Sequence, residues 1–282
     1  MHSPMLAFAV RIAELPPMSS VAPPLVLDLL SNADQLRQDS SRAIEPARRS
    51  ELGQFFTPAP IASLMATMAS TERESVALLD PGAGVGILTA AWVAEMCSRP
   101  SRPREVTLTA YELDESLLSP LNSTLAACKR ACNQVGVACR VDVQHRDFIE
   151  AGVEALEDGL WGSDRPSYDL AILNPPYRKF RADARPRQLL RRIGVETSNL
   201  YTAFLSVVIR LLAVGGEMVA ITPRSFCNGP YFRPFRQELL RSVSLRRVHV
   251  FESRGHAFRE DEVLQENVIL HGMKGVPQQD SV

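Results

Sequence analysis

The chain has 282 residues, enough for one large domain or two small ones. Hydrophobic residues make up 45% and charged residues 22%, proportions that support a packed core and exclude a disordered chain. The formal net charge of −1 excludes a global basic field, so any contact with nucleic acid has to come from local clusters of charge.

Five cysteines occur (Cys97, Cys128, Cys132, Cys139 and Cys227), an odd number without a CxxC pair. They read as apolar thiols in a reducing compartment, and neither a metal site nor a disulfide is expected. No apolar run reaches the roughly 18–20 residues of a membrane span. At the N-terminus Arg11 follows the short apolar patch instead of preceding it, unlike a secretory signal. A cytoplasmic protein is expected, with no membrane partner.

Residues 1–24 form an unassigned leading segment that closes in PPMSSVAPP (16–24), too rich in proline and serine for a helix or strand interior and read as a linker. The domain expected over 25–275 opens with a helix from Leu25, broken near Pro46, and residues 276–282 read as a tail. A helix over 59–72 begins with prolines tolerated in a first turn. SVALLD (75–80) is a short apolar run and hence a buried strand. A helix over 87–98, a strand over EVTLTAYEL (105–113) and a long helix over 114–135 follow, the last stopped by Gly136. CRVDVQHRDF supplies a third strand and its exit, and YDLAIL (168–173) a fourth. An amphipathic helix over 199–213 is expected to stop at Gly215 and Gly216. Then come a fifth strand in EMVAIT, a helix around 233–243, a sixth strand in LRRVHVF and a seventh in ENVILHG.

Strands alternating with helices of this length predict an α/β fold with a mostly parallel, seven-stranded sheet covered on both faces. Ligands of such sheets bind outside the carboxyl ends of the strands. The first strand ends in Asp80-Pro81-Gly82-Ala83-Gly84-Val85-Gly86, where three glycines let the backbone turn sharply and approach a ligand. An acid before the glycines would repel a pyrophosphate and suits a cationic or amino-bearing ligand. Glu112 ends the second strand, where an acid can take both hydroxyls of a ribose. Asp114 reads as the N-cap of the next helix. At the third strand's end Asp147 is placed to accept from an exocyclic amine and Phe148 to lie on a purine; a cap and a core aromatic are the alternative.

The fourth strand ends in Asn174-Pro175-Pro176-Tyr177. The Asn174 amide oxygen and the Pro175 carbonyl can together accept both hydrogens of an amine, and Tyr177 can stack on the ring that carries it. The prolines hold these groups in place in advance. A bare turn is the alternative, but the position behind an apolar strand, with a glycine loop two strands earlier, favours a site.

In motif content and order, residues 45–272 resemble the gamma class of adenine-N6 DNA methyltransferases of bacterial restriction–modification systems. LGQFFTP (52–58) is similar to the class's leading cofactor motif, DPGAGVG to its glycine motif and NPPY to its catalytic motif. NLYTAFLSVVIRLLAVGGEMVAITPRSF (199–226) and VFESRGHAF (250–258) are similar to the blocks that follow. The resemblance implies a Rossmann-like S-adenosylmethionine-dependent methyltransferase fold, with S-adenosylmethionine as cofactor and the N6 amine of a flipped adenine in DNA as acceptor. It implies cofactor contacts at Phe56, Thr57, Asp80, Pro81, Gly82, Ala83, Gly84, Gly86, Glu112, Asp147, Phe148 and Asn174. It implies catalytic roles for Asn174, Pro175, Pro176, Tyr177 and Phe258, the last facing Tyr177 across the target base, with Phe251 as second choice.

Members of the class usually carry a target-recognition domain after the catalytic one; this chain stops at Val282, so the expectation is either a truncated product or recognition from a separate domain or subunit. The basic segment RKFRADARPRQLLRR (178–192) directly follows NPPY, and phosphate contacts are expected from Arg178, Lys179, Arg181, Arg185 and Arg187. Other readings keep the fold: a methyltransferase of the glutamine amide of release factors or of RNA adenine. A cofactor-binding subunit inactive without a partner is the reading from another class.

Overall fold

The computed structural model describes residues 24–45, 55–69, 72–158, 166–181, 183–251 and 267–278. Most of the leading segment 1–24, and Pro46, fall outside the described residues.

The strands are β1 (Ser75–Pro81), β2 (Glu105–Glu112), β3 (Ala138–His145), β4 (Tyr168–Leu173), β5 (Leu212–Pro223), β6 (Val243–Val250) and β7 (Asn267–Lys274). They form one sheet in the order β3-β2-β1-β4-β5-β7-β6. Pairing is parallel from β3 through β5, while β7 runs antiparallel to both β5 and β6. The helices are α1 (Pro24–Ala43), α2 (Ala59–Met68), α3 (Ile87–Ser98), α4 (Glu115–Gln134), α5 (Phe148–Asp158), α6 (Arg185–Arg192), α7 (Leu200–Leu211) and α8 (Arg233–Ser242), with a short 3-10 turn at Arg224–Cys227.

Side chains of successive strand residues point to opposite faces, and the two cores follow that period. Leu78, Leu170, Ile172, Val219 and Ile221 pack into one cluster with α1–α4. Their neighbours Leu79, Ala171, Leu173, Met218 and Ala220 pack into the other with α5–α8. A strand segment buried on both faces has to be apolar at every position, which is why LAIL (170–173) and MVAI (218–221) read as unbroken apolar runs.

Local signals set several boundaries. Asp114 accepts from Ser116 N at 3.1 Å and so caps α4, and Gly136 takes φ +78° just past its end. Two helix ends differ from expectation. The helix before β5 ends at Leu211, and Gly215 and Gly216 do not stop it. Leu212 already pairs with Tyr168, whereas Leu170 pairs with Glu217, so residues 213–216 are looped out of the register. Gly215 supplies φ +74° for that turn, and a Cβ on Gly216 would meet the Tyr168 and Ala213 carbonyl oxygens at 2.9 Å. The helix after residue 59 is also shorter than expected, closing at Met68.

All five cysteines are free thiols, four of them buried. No described helix is long and apolar enough to cross a membrane. Among the described residues no cluster of His, Cys, Asp or Glu has the arrangement of a metal site.

Candidate active site

A cleft opens at the carboxyl edge of β1, β2 and β4, walled by the loops that follow these strands and by residues 55–57. The glycine loop enters it with Gly82, Ala83 and Gly84. Gly82 and Ala83 donate backbone N–H groups to the Tyr111 carbonyl at 2.9 and 2.8 Å, which ties the loop to the end of β2. Gly82, Gly84 and Gly86 all have positive φ. A Cβ on Gly82 would touch the Phe204 ring and one on Gly84 the Phe56 ring, each at 3.4 Å, so side chains there would fill the cleft. Pro81 and Gly86 shape the turn without lining the cleft.

Asp80 differs from its expected role of facing a cationic ligand. It does not line the cleft but lies beneath the loop, 1% exposed. Its Oδ2 accepts from the Thr89 hydroxyl at 2.7 Å, in the first turn of α3, and its Oδ1 is buried without a partner. Burial pushes its carboxyl up to about 7, against the pull of the Thr89 hydrogen bonds and with a push from Glu112.

Glu112 does line the cleft. Its Oε2 accepts from Gly84 N at 2.7 Å, and its Oε1 from Leu113 N at 2.8 Å and Asp114 N at 2.7 Å. Burial raises its carboxyl while these donors oppose the rise. The carboxylate is thereby fixed between the glycine loop and the start of α4, with one acceptor site of Oε2 left open. Asp147 and Phe148 form the next part of the wall. Asp147 Oδ1 accepts from Glu150 N at 3.0 Å, so this side chain caps α5 as well as facing the cleft. The Phe148 ring packs between Tyr111 and Phe204, at centroid distances of 5.4 and 5.1 Å.

Asn174 emerges at the end of β4. Its Nδ2 donates to the Phe55 carbonyl at 2.7 Å and to Thr57 Oγ1 at 3.1 Å. Its Oδ1 is buried and unpartnered in a residue that lines the cleft. The amide is held by its nitrogen and offers its oxygen. A buried acceptor without a donor costs about 1–3 kcal/mol, and such a group at a cleft marks a place for a ligand donor. Pro176 lines the cleft, whereas Pro175 is buried and does not.

Tyr177 packs against Phe55 of the cleft wall. Its ring is not part of the cleft wall; it lies 5.5 Å from Phe55 and 6.4 Å from Tyr201, and its hydroxyl donates to the Ile221 carbonyl at 3.3 Å. Burial, with the neighbouring Tyr201, pushes its phenol upward, so it stays neutral. Phe258 lies outside the described residues, and Phe251 packs against the first core cluster.

The basic segment divides in two. Arg178 lines the cleft, and Lys179 and Arg181 are exposed. Arg185 is ion-paired with Glu150, Arg187 with Glu196 (Nε–Oε1 2.9 Å), and Arg192 with Glu157. Glu196 is held down to about 2 by the Arg191 and Arg187 guanidiniums. The second half of the segment is therefore a helix docked on acids, and Arg185 and Arg187 are already engaged within the chain.

Sequence reasoning missed Phe55, whose carbonyl orients Asn174, and Phe204 and Phe180 in the wall. Phe55 was within reach, since it belongs to the LGQFFTP block. Phe204 reads as one more apolar residue on a buried helix, and no signal separates it from its neighbours.

The fold is that of the S-adenosylmethionine-dependent methyltransferases. A solved structure from Listeria monocytogenes, described as a class I S-adenosylmethionine-dependent methyltransferase, superposes with a TM-score of 0.64 at 14% identity, covering 91% of this chain and 72% of that one. In sequence, residues 129–258 match the Eco57I restriction-modification methylase family. The chain is 42% identical to the Type II methyltransferase M.PstI of Providencia stuartii, over 94% of this chain and 51% of that protein. It is 45% identical to the Type II methyltransferase M.BsuBI of Bacillus subtilis, over 82% and 46%. These matches bear out the resemblance to restriction–modification DNA methyltransferases. The chain spans about half the length of these curated relatives.

Proposed function

We infer that this chain is the catalytic part of a restriction–modification DNA methyltransferase that moves a methyl group from S-adenosylmethionine to the N6 amine of an adenine flipped out of the duplex. The observation that carries this reading is the Asn174 amide, tethered through Nδ2 to Phe55 and Thr57 with Oδ1 unpartnered at the cleft.

S-adenosylmethionine, when bound, supplies a methyl group already activated on a sulfonium. Glu112 accepts from a ribose hydroxyl at its open Oε2 site, and the glycine loop lets the ligand lie against backbone at Gly82 and Gly84. Phe148 lies along the purine, and residues 55–57 close the cleft while orienting Asn174. The exocyclic amine of adenine is a poor nucleophile because its lone pair is delocalised into the ring. Asn174 Oδ1 accepts one of its hydrogens and the Pro175 carbonyl the other, which favours a pyramidal nitrogen as the methyl arrives. Preorganised acceptors of this kind need no reorganisation at the moment of reaction. An adenine inside a duplex cannot reach such a group, and extrusion costs a few kcal/mol. Tyr177 and Phe258 are assigned to hold the flipped ring, and Arg178, Lys179 and Arg181 to meet phosphates near it. Arg185 and Arg187 join them where phosphates outcompete Glu150 and Glu196. The choice of DNA sequence is assigned to a recognition domain or subunit.

The test is methyl transfer from tritiated S-adenosylmethionine to DNA, RNA and a release factor in parallel. Label in DNA, recovered as N6-methyladenine, supports the reading; label confined to either of the others removes it.

A further inference from the structure

The loop that leaves β5 lies at the same carboxyl edge as Asn174 and carries an aromatic row that the methyl-transfer chemistry does not use. Tyr231 is 58% exposed, the largest exposed aromatic surface among the described residues. It is not a loose side chain. Its ring packs edge-on to Phe232 at 4.8 Å, and its hydroxyl accepts from Asn199 Nδ2 at 3.4 Å, Asn199 being buried just before α7. The loop beneath it is clamped by Arg236, which donates to the carbonyls of Phe226, Asn228 and Gly229 at 2.8, 3.2 and 2.7 Å. Phe232 packs on Tyr201 at 5.9 Å, and Tyr201 on Tyr177 of the NPPY turn at 6.4 Å. Arg233, exposed, follows directly.

An exposed aromatic held by two tethers, with an exposed arginine two residues further along the chain, has the chemistry of a base platform: its π-face takes any nucleobase, and the cation takes the phosphate. We propose that Tyr231 is a second stacking site, which receives an unpaired base of the same strand a few nucleotides from the one presented to Asn174. This rests on the reading of the site as a nucleic-acid base methyltransferase. Because Tyr231 is three ring steps from Tyr177, its occupant is a neighbouring base and not the target. Binding there holds the strand open beside the cleft. Tyr231 is thus a positioning residue, without contact to the transferred methyl.

The full chain is irradiated with a single-stranded oligonucleotide carrying 5-iodouracil at successive positions around an adenine, and crosslinked peptides are identified by mass spectrometry. A crosslink at Tyr231 from a position flanking the adenine is expected. In parallel, Tyr231→Ala is expected to raise KM for DNA and weaken oligonucleotide binding about 5- to 20-fold, with kcat and S-adenosylmethionine affinity unchanged. Tyr231→Trp, which keeps a stacking face and loses the hydroxyl, restores binding to within about threefold. If the unsubstituted chain methylates DNA while Tyr231→Ala leaves KM unmoved, or crosslinks fall only elsewhere, this inference fails and the methyltransferase reading stands. If the chain neither binds the oligonucleotide nor labels DNA, both fall together.

Discussion

Three side chains separate the roles that this site combines. Asn174 is held by its nitrogen and presents its oxygen, so Asn174→Ala removes the acceptor without touching the nucleoside end of the cleft. Turnover is expected to fall by about 10²- to 10³-fold. Cofactor affinity, measured by calorimetry, changes by less than about tenfold. Glu112→Gln keeps the size of the side chain but loses the charge and one acceptor. It is expected to weaken S-adenosylmethionine binding by about 10- to 100-fold, on the scale of a lost charge-assisted hydrogen bond. Asp80 acts through stability. Its carboxyl is raised from 3.8 to about 7 by burial, so the folded chain keeps a proton that the unfolded chain releases. Its contribution to stability is full below about pH 4 and is lost as pH rises to about 7, up to about 4 kcal/mol in all. Urea unfolding between pH 5 and 8 reads that slope, and Asp80→Asn flattens it. What the sequence conveyed at this scale was identity and not orientation. Glu112 stands where its strand-end position put it. The Asn174 tether runs to residues 119 and 117 positions away, which no local pattern reveals. Asp80 was legible as a strand-end acid, but the tight turn of the glycine loop buries it on the side away from the cleft.

At the scale of elements, α6 shows which force docks a helix. Its arginines pair with Glu150, Glu196 and Glu157, yet these pairs are largely solvent-exposed, and such pairs are worth under about 1 kcal/mol. Leu190, fully buried in the second core cluster, is the anchor. Leu190→Ala is expected to cost about 2–4 kcal/mol in chemical denaturation and Arg192→Ala under about 1 kcal/mol. The element boundaries that sequence reasoning placed well are those with local chemistry, such as the Asp114 cap and Gly136. The break before β5 was misjudged because two glycines read equally as a helix stop and as a strand irregularity. The pairing of Leu212 with Tyr168 decides between them, and that is a tertiary fact.

At the scale of the molecule, short continuous apolar strands alternating with helices made the doubly covered sheet legible, and the antiparallel β7 completes it. The glycine loop, Glu112 and Asn174 come together because three adjacent parallel strands, β2, β1 and β4, end on one edge. The central claim is that this edge methylates adenine. The most direct measurement is nucleoside analysis of mixed-sequence DNA after incubation with the chain and S-adenosylmethionine, beside the Asn174→Ala variant. The account predicts N6-methyladenine with the unsubstituted chain and, in initial rate, about a hundredfold less or lower with the variant, although both bind the cofactor. Methylcytosine in place of N6-methyladenine, or equal yields from the two proteins, would contradict it.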